Sequence, residues 1–166
     1  MTIKEFFEKY ANVEFPKEQE KHIKEYLNIK DKKWKPEQDE KYYFVDSLGK
    51  IEFDTYYVTS LHDVFLYHSN NMFKTKEEAE FRLEQITVYN ELKNFANDNN
   101  EEIDWSDSKQ KKWFIKLDHN NSCFVTSYYF KLQHIGQIYF SSQRLAEQAI
   151  EKIGEDRIKK YLFGVE

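Results

Sequence analysis

The 166-residue chain is 40 % hydrophobic and 33 % charged, and its 14 Phe, 12 Tyr and 3 Trp supply most of the volume for the core of one compact domain. Its formal net charge of -5 argues against a dedicated duplex-DNA binder, which is normally basic because it neutralises phosphates. A single cysteine excludes an intramolecular disulfide, and the lack of a leader-like or membrane-length apolar run leads us to expect a cytoplasmic location.

The first 33 residues predict a pair of helices. Thr2 and Glu5 have the spacing of a capping box, and the apolar side chains after them repeat at helical spacing, which predicts a helix over residues 3–11. Pro16 is well placed to open a second helix, because proline is tolerated in the first helical turn. We therefore expect an N-terminal helical region over residues 1–33, followed by a charged connector.

After the connector the hydrophobic pattern alternates, which predicts strands. Strands over 42–45 and 51–57 flank a turn in which Gly49 suits a positive φ, so we expect a hairpin. The apolar run 64–67 predicts a third, buried strand after this hairpin.

A long helix is predicted next. Thr75 and Glu78 repeat the capping-box spacing, and the helical pattern behind them extends over residues 76–97. The side chains expected on the apolar face are Ala79, Leu83, Ile86, Tyr89, Leu92, Phe95 and Ala96.

The same order of patterns then recurs. Strands are predicted over 113–117 and 123–129 with a polar turn between them, and a third strand over 137–140. A helix over 143–153 and a short helix over 155–163 follow.

Two stretches of the sequence align with each other, which indicates an internal repeat. Placing Trp34 on Trp105 gives an offset of 71 residues and sets Tyr42 on Trp113. Each copy would then be introduced by a tryptophan.

The alignment continues into the helices at an offset of 67 residues, where Phe73 falls on Phe140 and the motif Phe-x5-Ala-x4-Glu-x-Ile recurs. Shared periodicity of two similar stretches is the alternative explanation, but a helical pattern alone does not demand the small alanine. We therefore predict an α+β fold of two tandem strand–strand–strand–helix repeats with antiparallel sheets, over residues 34–99 and 100–166. With the preceding helical pair, they would form one compact unit.

Side chains arranged for catalysis are sparse in the sequence. The four glycines are isolated and form no phosphate-binding loop, and the histidines lack the close pairs of a zinc site. Cys123 lies near His119, but a buried strand cysteine explains such a pair more often than catalysis does. We therefore expect no enzymatic activity, no metal and no cofactor, with a small enzyme built on these two residues as the alternative.

Two groups of side chains are candidates for binding. Lysines beside tryptophans can hold single-stranded nucleic acid by charge and stacking, although anchoring of a solvated linker is the favoured explanation. Tyrosines alternate on the predicted strands and are favoured at protein interfaces. The candidates are Lys32, Lys33, Trp34, Lys35, Lys109, Lys111 and Lys112 in the first group and Tyr56, Tyr57, Tyr128 and Tyr129 in the second.

The segments "KYYFVDSLGKIEF", "MFKTKEEAEF…ELKNFAND", "EEIDWSDSKQKKW" and "GQIYFSSQRLAEQAIEKIGEDRIKKYLFGVE" resemble a widespread family of small phage and prophage proteins from low-GC Gram-positive bacteria. The resemblance runs from about Trp34 to Glu166 and supplies no catalytic residues. It implies an accessory protein that acts in the bacterial host cell by binding a host protein, and inhibitors of CRISPR effector nucleases are one example.

The expected function is therefore that of a non-enzymatic, phage-derived protein that binds and modulates a host protein, such as a CRISPR nuclease or another defence nuclease. A nucleic-acid-binding accessory module is the alternative. We expect no membrane partner, and the sequence leaves the oligomeric state open.

Overall fold

The computed structural model describes residues 34–165. The chain divides into two units, and all the elements given below belong to Pro36–Glu166. The helical pair predicted over residues 1–33 lies outside the described residues. The division of the remainder into 34–99 and 100–166 stays a prediction.

The described residues form an α+β fold, as predicted, with two separate antiparallel sheets of two strands each. The elements in chain order are β1 Lys41–Val45, β2 Ile51–Thr55, α1 Leu61–His68, α2 Lys76–Asn99, β3 Lys112–Asp118, β4 Cys123–Tyr129, α3 Gln143–Ile153, α4 Glu155–Ile158 and a π-helical turn Lys159–Phe163. Strand β1 pairs with β2, and β3 pairs with β4.

An aspartate organises the turn of each hairpin. Asp46 Oδ1 accepts hydrogen bonds from the main-chain N–H groups of Leu48 at 2.8 Å and Lys50 at 2.7 Å. Gly49 adopts a φ of +74°, as predicted for this turn. In the second hairpin the side chain of Asp118 accepts from the turn in the same way. Local turn chemistry therefore sets the register of both hairpins.

Neither of the predicted third strands forms. The predicted strand 137–140 contributes only one antiparallel bridge, between Trp113 and Phe140, and the first hairpin has the matching bridge between Tyr43 and Phe73. The pairing goes no further in that direction because a helix begins three residues after each bridge. Trp113 thus occupies the place of Tyr43, one residue away from the sequence alignment, which set it on Tyr42.

The run 64–67, predicted as a buried strand, lies inside helix α1. Ser60 caps this helix, since its hydroxyl accepts from the N–H of Asp63 at 3.2 Å. Four apolar residues in succession are compatible with a strand or with a helical turn, and the cap decides between them here.

Helix α2 keeps close to its predicted bounds and has the predicted capping box. Thr75 Oγ1 accepts from the N–H of Glu78 at 3.2 Å, and the Glu78 carboxylate accepts from the N–H of Thr75 at 3.3 Å. The predicted apolar face is shifted by the packing: Val88 is buried, whereas Ile86 is exposed. The buried side chains of α2 are Ala79, Val88, Leu92 and Ala96.

The main core lies where α2 meets the second hairpin and the C-terminal helices. Its buried members are Val88, Leu92, Ala96, Phe140, Ala146, Ala149, Ile153 and Ile158. The small side chains of Ala146 and Ala149 let α3 approach its neighbours closely, because they take up little of the space between elements. The apolar side predicted for the last helix, Ile158, Tyr161 and Leu162, packs on this core.

Candidate functional site at the exposed face of helix α1

Helix α1 directs an aspartate towards the core and several apolar side chains towards solvent. Asp63 and Leu66 are buried, and Asp63 retains only 2 % of its surface. Successive residues of an α-helix turn by about 100°, which places Leu61, Val64 and Phe65 together on the opposite side. These three side chains are exposed by 86 %, 37 % and 68 % respectively. An amphipathic surface helix normally has the opposite arrangement.

The buried Asp63 carboxylate fixes this orientation. One oxygen accepts from the hydroxyl of Tyr42 at 2.7 Å, and the other accepts from the main-chain N–H of Tyr57 at 2.6 Å. Both donors belong to the first hairpin and the segment that follows it, so the carboxylate ties α1 to that hairpin. Burial and this contact with Asp63 raise the pKa of the Tyr42 hydroxyl above its ordinary value of 10.0.

Further apolar side chains extend the exposed face. Val58, just before the helix, is exposed, and so is Tyr57, one of the predicted interface tyrosines. His68 lies on the same side of the helix in its last turn. We call Val58, Leu61, Val64 and Phe65 the α1 surface. Neighbouring exposed apolar residues of this kind mark interaction sites more often than scattered ones do.

The structure separates the other predicted tyrosines. Tyr56 is 3 % exposed and lies in the core, so burial removes it from any contact surface. Tyr129 is half-buried and stacks on Phe114 with ring centroids 4.8 Å apart. Tyr128 is exposed and lies opposite Trp113 across the second hairpin.

Burial removes one of the lysine and tryptophan candidates from the surface. Lys112 is fully buried and is therefore not a surface lysine. Its Nζ donates a hydrogen bond to the main-chain oxygen of Asp107 at 2.8 Å. Lys35, Lys109 and Lys111 are exposed, and Trp34 is half-buried. Lys32 and Lys33 lie outside the described residues.

Each hairpin carries one exposed lysine over a pair of aromatic rings. Lys41 Nζ lies 3.8 Å from the ring centroid of Phe53 in the first hairpin. Lys111 Nζ lies 4.4 Å from the ring centroid of Tyr128 in the second. These distances fit cation–π interactions, which stabilise the aromatic cross-strand pairs beneath them.

The catalytic alternative gains no geometric support. Cys123 is exposed at the start of β4 and is not the buried strand cysteine that the sequence favoured. Within residues 34–165, no three His, Cys, Asp or Glu side chains are placed to hold a metal ion. None of the described helices combines the length and the apolar character needed to cross a membrane.

The decisive signal for α1 is present in the sequence. Ser60-Leu61-His62-Asp63 has the Ser-x-x-Asp spacing of a helix cap before an apolar run. That cap favours a helix over a strand for the run 64–67. The orientation of the helix, however, depends on the tertiary contact with Tyr42.

Comparisons with known proteins do not place the chain in a family. No family model, curated protein or solved structure matches the chain.

Proposed function

We propose that this protein is a non-enzymatic binding protein that docks a partner protein on the α1 surface. One observation carries the proposal: α1 buries its aspartate and leaves Leu61 and Phe65 in solvent. Full burial of a Leu or Phe side chain stabilises by about 1.5–3 kcal/mol, so a partner covering both would gain several kcal/mol of binding free energy. Few central side chains of this kind dominate protein interfaces.

The rigidity of the helix supports the same proposal. Ser60 caps its start, and Asp63 ties it to the hairpin through Tyr42 and the main chain at Tyr57. The exposed side chains are therefore held in place before a partner arrives. Such preorganisation lowers the entropy lost on binding.

The partner class comes from the resemblance to small phage and prophage proteins. We propose a host protein in the bacterial cytoplasm as the partner, with a CRISPR effector nuclease as the first class to test. Inhibition would follow if the α1 surface covers a site that the nuclease needs.

We also propose that the chain arose by duplication of a strand–strand–helix unit. In each half a hairpin is followed by a bridge and then by a capped helix. An exposed lysine lies over a cross-strand aromatic pair in both. Helix α1 has no helical counterpart among the described residues of the second half, so the α1 surface would be the later and more specialised part.

A second candidate function is binding of single-stranded nucleic acid on the two lysine–aromatic pairs. Bases stack on exposed aromatic rings, and lysines contact phosphates. Titration of labelled oligonucleotides at low and high salt tests this function, because phosphate contacts make binding salt-dependent. Lack of salt-sensitive binding would eliminate it.

The main proposal is tested by a variant that removes the apolar character of the α1 surface. Leu61→Glu/Phe65→Glu changes two exposed side chains, and we expect folding to be retained because neither belongs to the core. Ile135→Glu is the matched control, since Ile135 is fully exposed in the loop of the second half. Circular dichroism verifies the fold of both variants.

The readout is inhibition of purified CRISPR effector nucleases, together with photo-crosslinking from a benzoyl-phenylalanine at position 65. We expect the wild type and Ile135→Glu to inhibit the same nuclease, and the chain that carries benzoyl-phenylalanine at position 65 to crosslink to it. The double variant should lose inhibition. Equal inhibition by the double variant and the wild type would refute docking through α1.

A further inference from the structure

The outer edge of the second hairpin differs from that of the first at one position. In the first hairpin Tyr43 exchanges two main-chain hydrogen bonds of 2.9 Å with Phe73. In the second, Trp113 exchanges bonds of 2.9 and 2.7 Å with Phe140. Residues two apart on a strand direct their N–H and C=O groups to the same side. Val45 and Ile115 therefore present their main-chain groups on the same side as these bridges.

A side chain occupies this position in the first hairpin. The N–H of Val45 donates to Asn71 Oδ1 at 3.0 Å, and Asn71 Nδ2 donates to the C=O of Val45 at 2.7 Å. The Asn71 carboxamide thus takes the place of one residue of a neighbouring strand. Both polar groups of the Val45 main chain are satisfied by a single amide.

No such amide is present at the matching place in the second hairpin. Asn71 stands two residues before Phe73, and the residue two before Phe140 is Ile138, which has no polar side-chain atom. The main-chain N–H and C=O of Ile115 point away from β4, so they make no hydrogen bond within that sheet. No other described residue provides one.

A pocket lies at this position. Its volume is about 260 Å³, and Ile115 and Ile138 both line it. Tyr89 and Leu92 of α2 lie on another side, and the C-terminal helical segment contributes Leu162 among others. The lining contains no charged side chain. This volume is slightly below the range of about 300–1,000 Å³ of most small-molecule sites, and a cavity of about 150 Å³ already holds a benzene ring.

We infer that this pocket binds a compact, uncharged group that carries a carboxamide on an apolar body, with the amide bonded to the main chain of Ile115. The amide would take the position that the Asn71 side chain takes beside Val45. The apolar body would contact Ile138, Leu92 and Leu162. A free small molecule and an Asn or Gln side chain of a partner protein share this chemistry. The inference does not depend on docking at the α1 surface.

The pocket also satisfies the physical requirements for selectivity between ligands. A ligand without a donor and an acceptor displaces water from the N–H and C=O of Ile115 without replacing its hydrogen bonds, which is unfavourable. A charged ligand would lose its hydration without a counter-charge in the lining. Neutral amides should therefore bind better than hydrocarbons or carboxylates of the same shape.

Titration of the full ¹⁵N-labelled chain with benzamide, followed by NMR, tests the inference. We expect a saturable shift of the Ile115 amide resonance with benzamide. Ethylbenzene and benzoate, which have a similar ring, should bind more weakly by about tenfold or more, since they lack the paired donor and acceptor. Equal affinities for benzamide and ethylbenzene, or an Ile115 resonance that does not respond, would overturn the inference.

A variant that supplies the missing amide gives an independent test. Ile138→Asn should place a carboxamide beside Ile115, slow exchange of the Ile115 amide hydrogen and reduce benzamide affinity by at least about tenfold. Ile135→Asn, in the same loop but outside the pocket lining, is the matched control and should still bind benzamide. Undiminished binding to a folded Ile138→Asn protein would overturn the inference. If that variant does not fold, the ligand series on the wild type still decides.

The two ligand sources are separated by a capped peptide, acetyl-Ala-Gln-Ala-amide. Tighter binding of this peptide than of benzamide at the Ile115 resonance would assign the site to a partner's side chain. Binding of benzamide alone would assign the site to a free small molecule.

Discussion

Replacement of Asp63 by alanine tests whether one buried carboxylate holds α1 on the first hairpin. The carboxylate accepts the Tyr42 hydroxyl at 2.7 Å and the Tyr57 N–H at 2.6 Å, and its residue is 2 % exposed. Hydrogen bonds to a charged group contribute about 1.5–3 kcal/mol each. Loss of both should lower the free energy of unfolding by roughly 3–6 kcal/mol, a large part of the 5–15 kcal/mol of a typical domain.

Urea denaturation followed by circular dichroism measures this change. Tyr42→Phe, which removes one of the two donors, is the companion variant and should cost about 1.5–3 kcal/mol. In the double variant Asp63→Ala/Tyr42→Phe the two losses should not add, because both variants remove the same hydrogen bond. A loss below about 1 kcal/mol for Asp63→Ala, typical of surface substitutions, would refute the anchoring role.

Two further predictions concern the first hairpin. The raised pKa of Tyr42 means that the contribution of its hydroxyl to stability is fully present below the ordinary pKa of 10.0 and is lost as the pH rises through the folded-state value. Denaturation midpoints measured from neutral to strongly alkaline pH should therefore fall less in Tyr42→Phe than in the wild type. Parallel curves for the two proteins would contradict this assignment. Asn71→Ala removes two hydrogen bonds from the half-buried main chain of Val45 and should destabilise by about 1–3 kcal/mol in urea denaturation, whereas Asn71→Gln should recover part of the loss if the amide is what matters.

The elements with strong local signals were predictable from the sequence. Helix α2 combines a capping box with six turns of regular spacing, and strand β4 was predicted with the observed bounds. Helix α1 was not predicted, because a run of four apolar residues is compatible with a strand or a helix and only the cap at Ser60 separates the two. The third strand predicted over 137–140 failed for another reason: it depended on a long-range pairing that ends after one bridge.

The candidate sites were harder to predict from the sequence than the helices and strands. The α1 surface exists because Asp63 finds a partner 21 residues earlier in the chain, which no spacing rule foresees. The pocket at Ile115 depends on a register between β3 and the bridge at Phe140. Tyr56 and Lys112 were predicted as binding residues from their residue types, but packing places both in the interior.

Helix α2 has a consequence for the order in which the protein can mature on the ribosome. It contacts β1 and β2 of the first hairpin, but Val88, Leu92 and Ala96 pack with side chains from Phe140 to Ile158. Until those later residues leave the exit tunnel, Val88, Leu92 and Ala96 lack these packing partners. A nascent chain that stalls after α2 would expose these side chains to chaperones and proteases, so quality control should clear such fragments quickly.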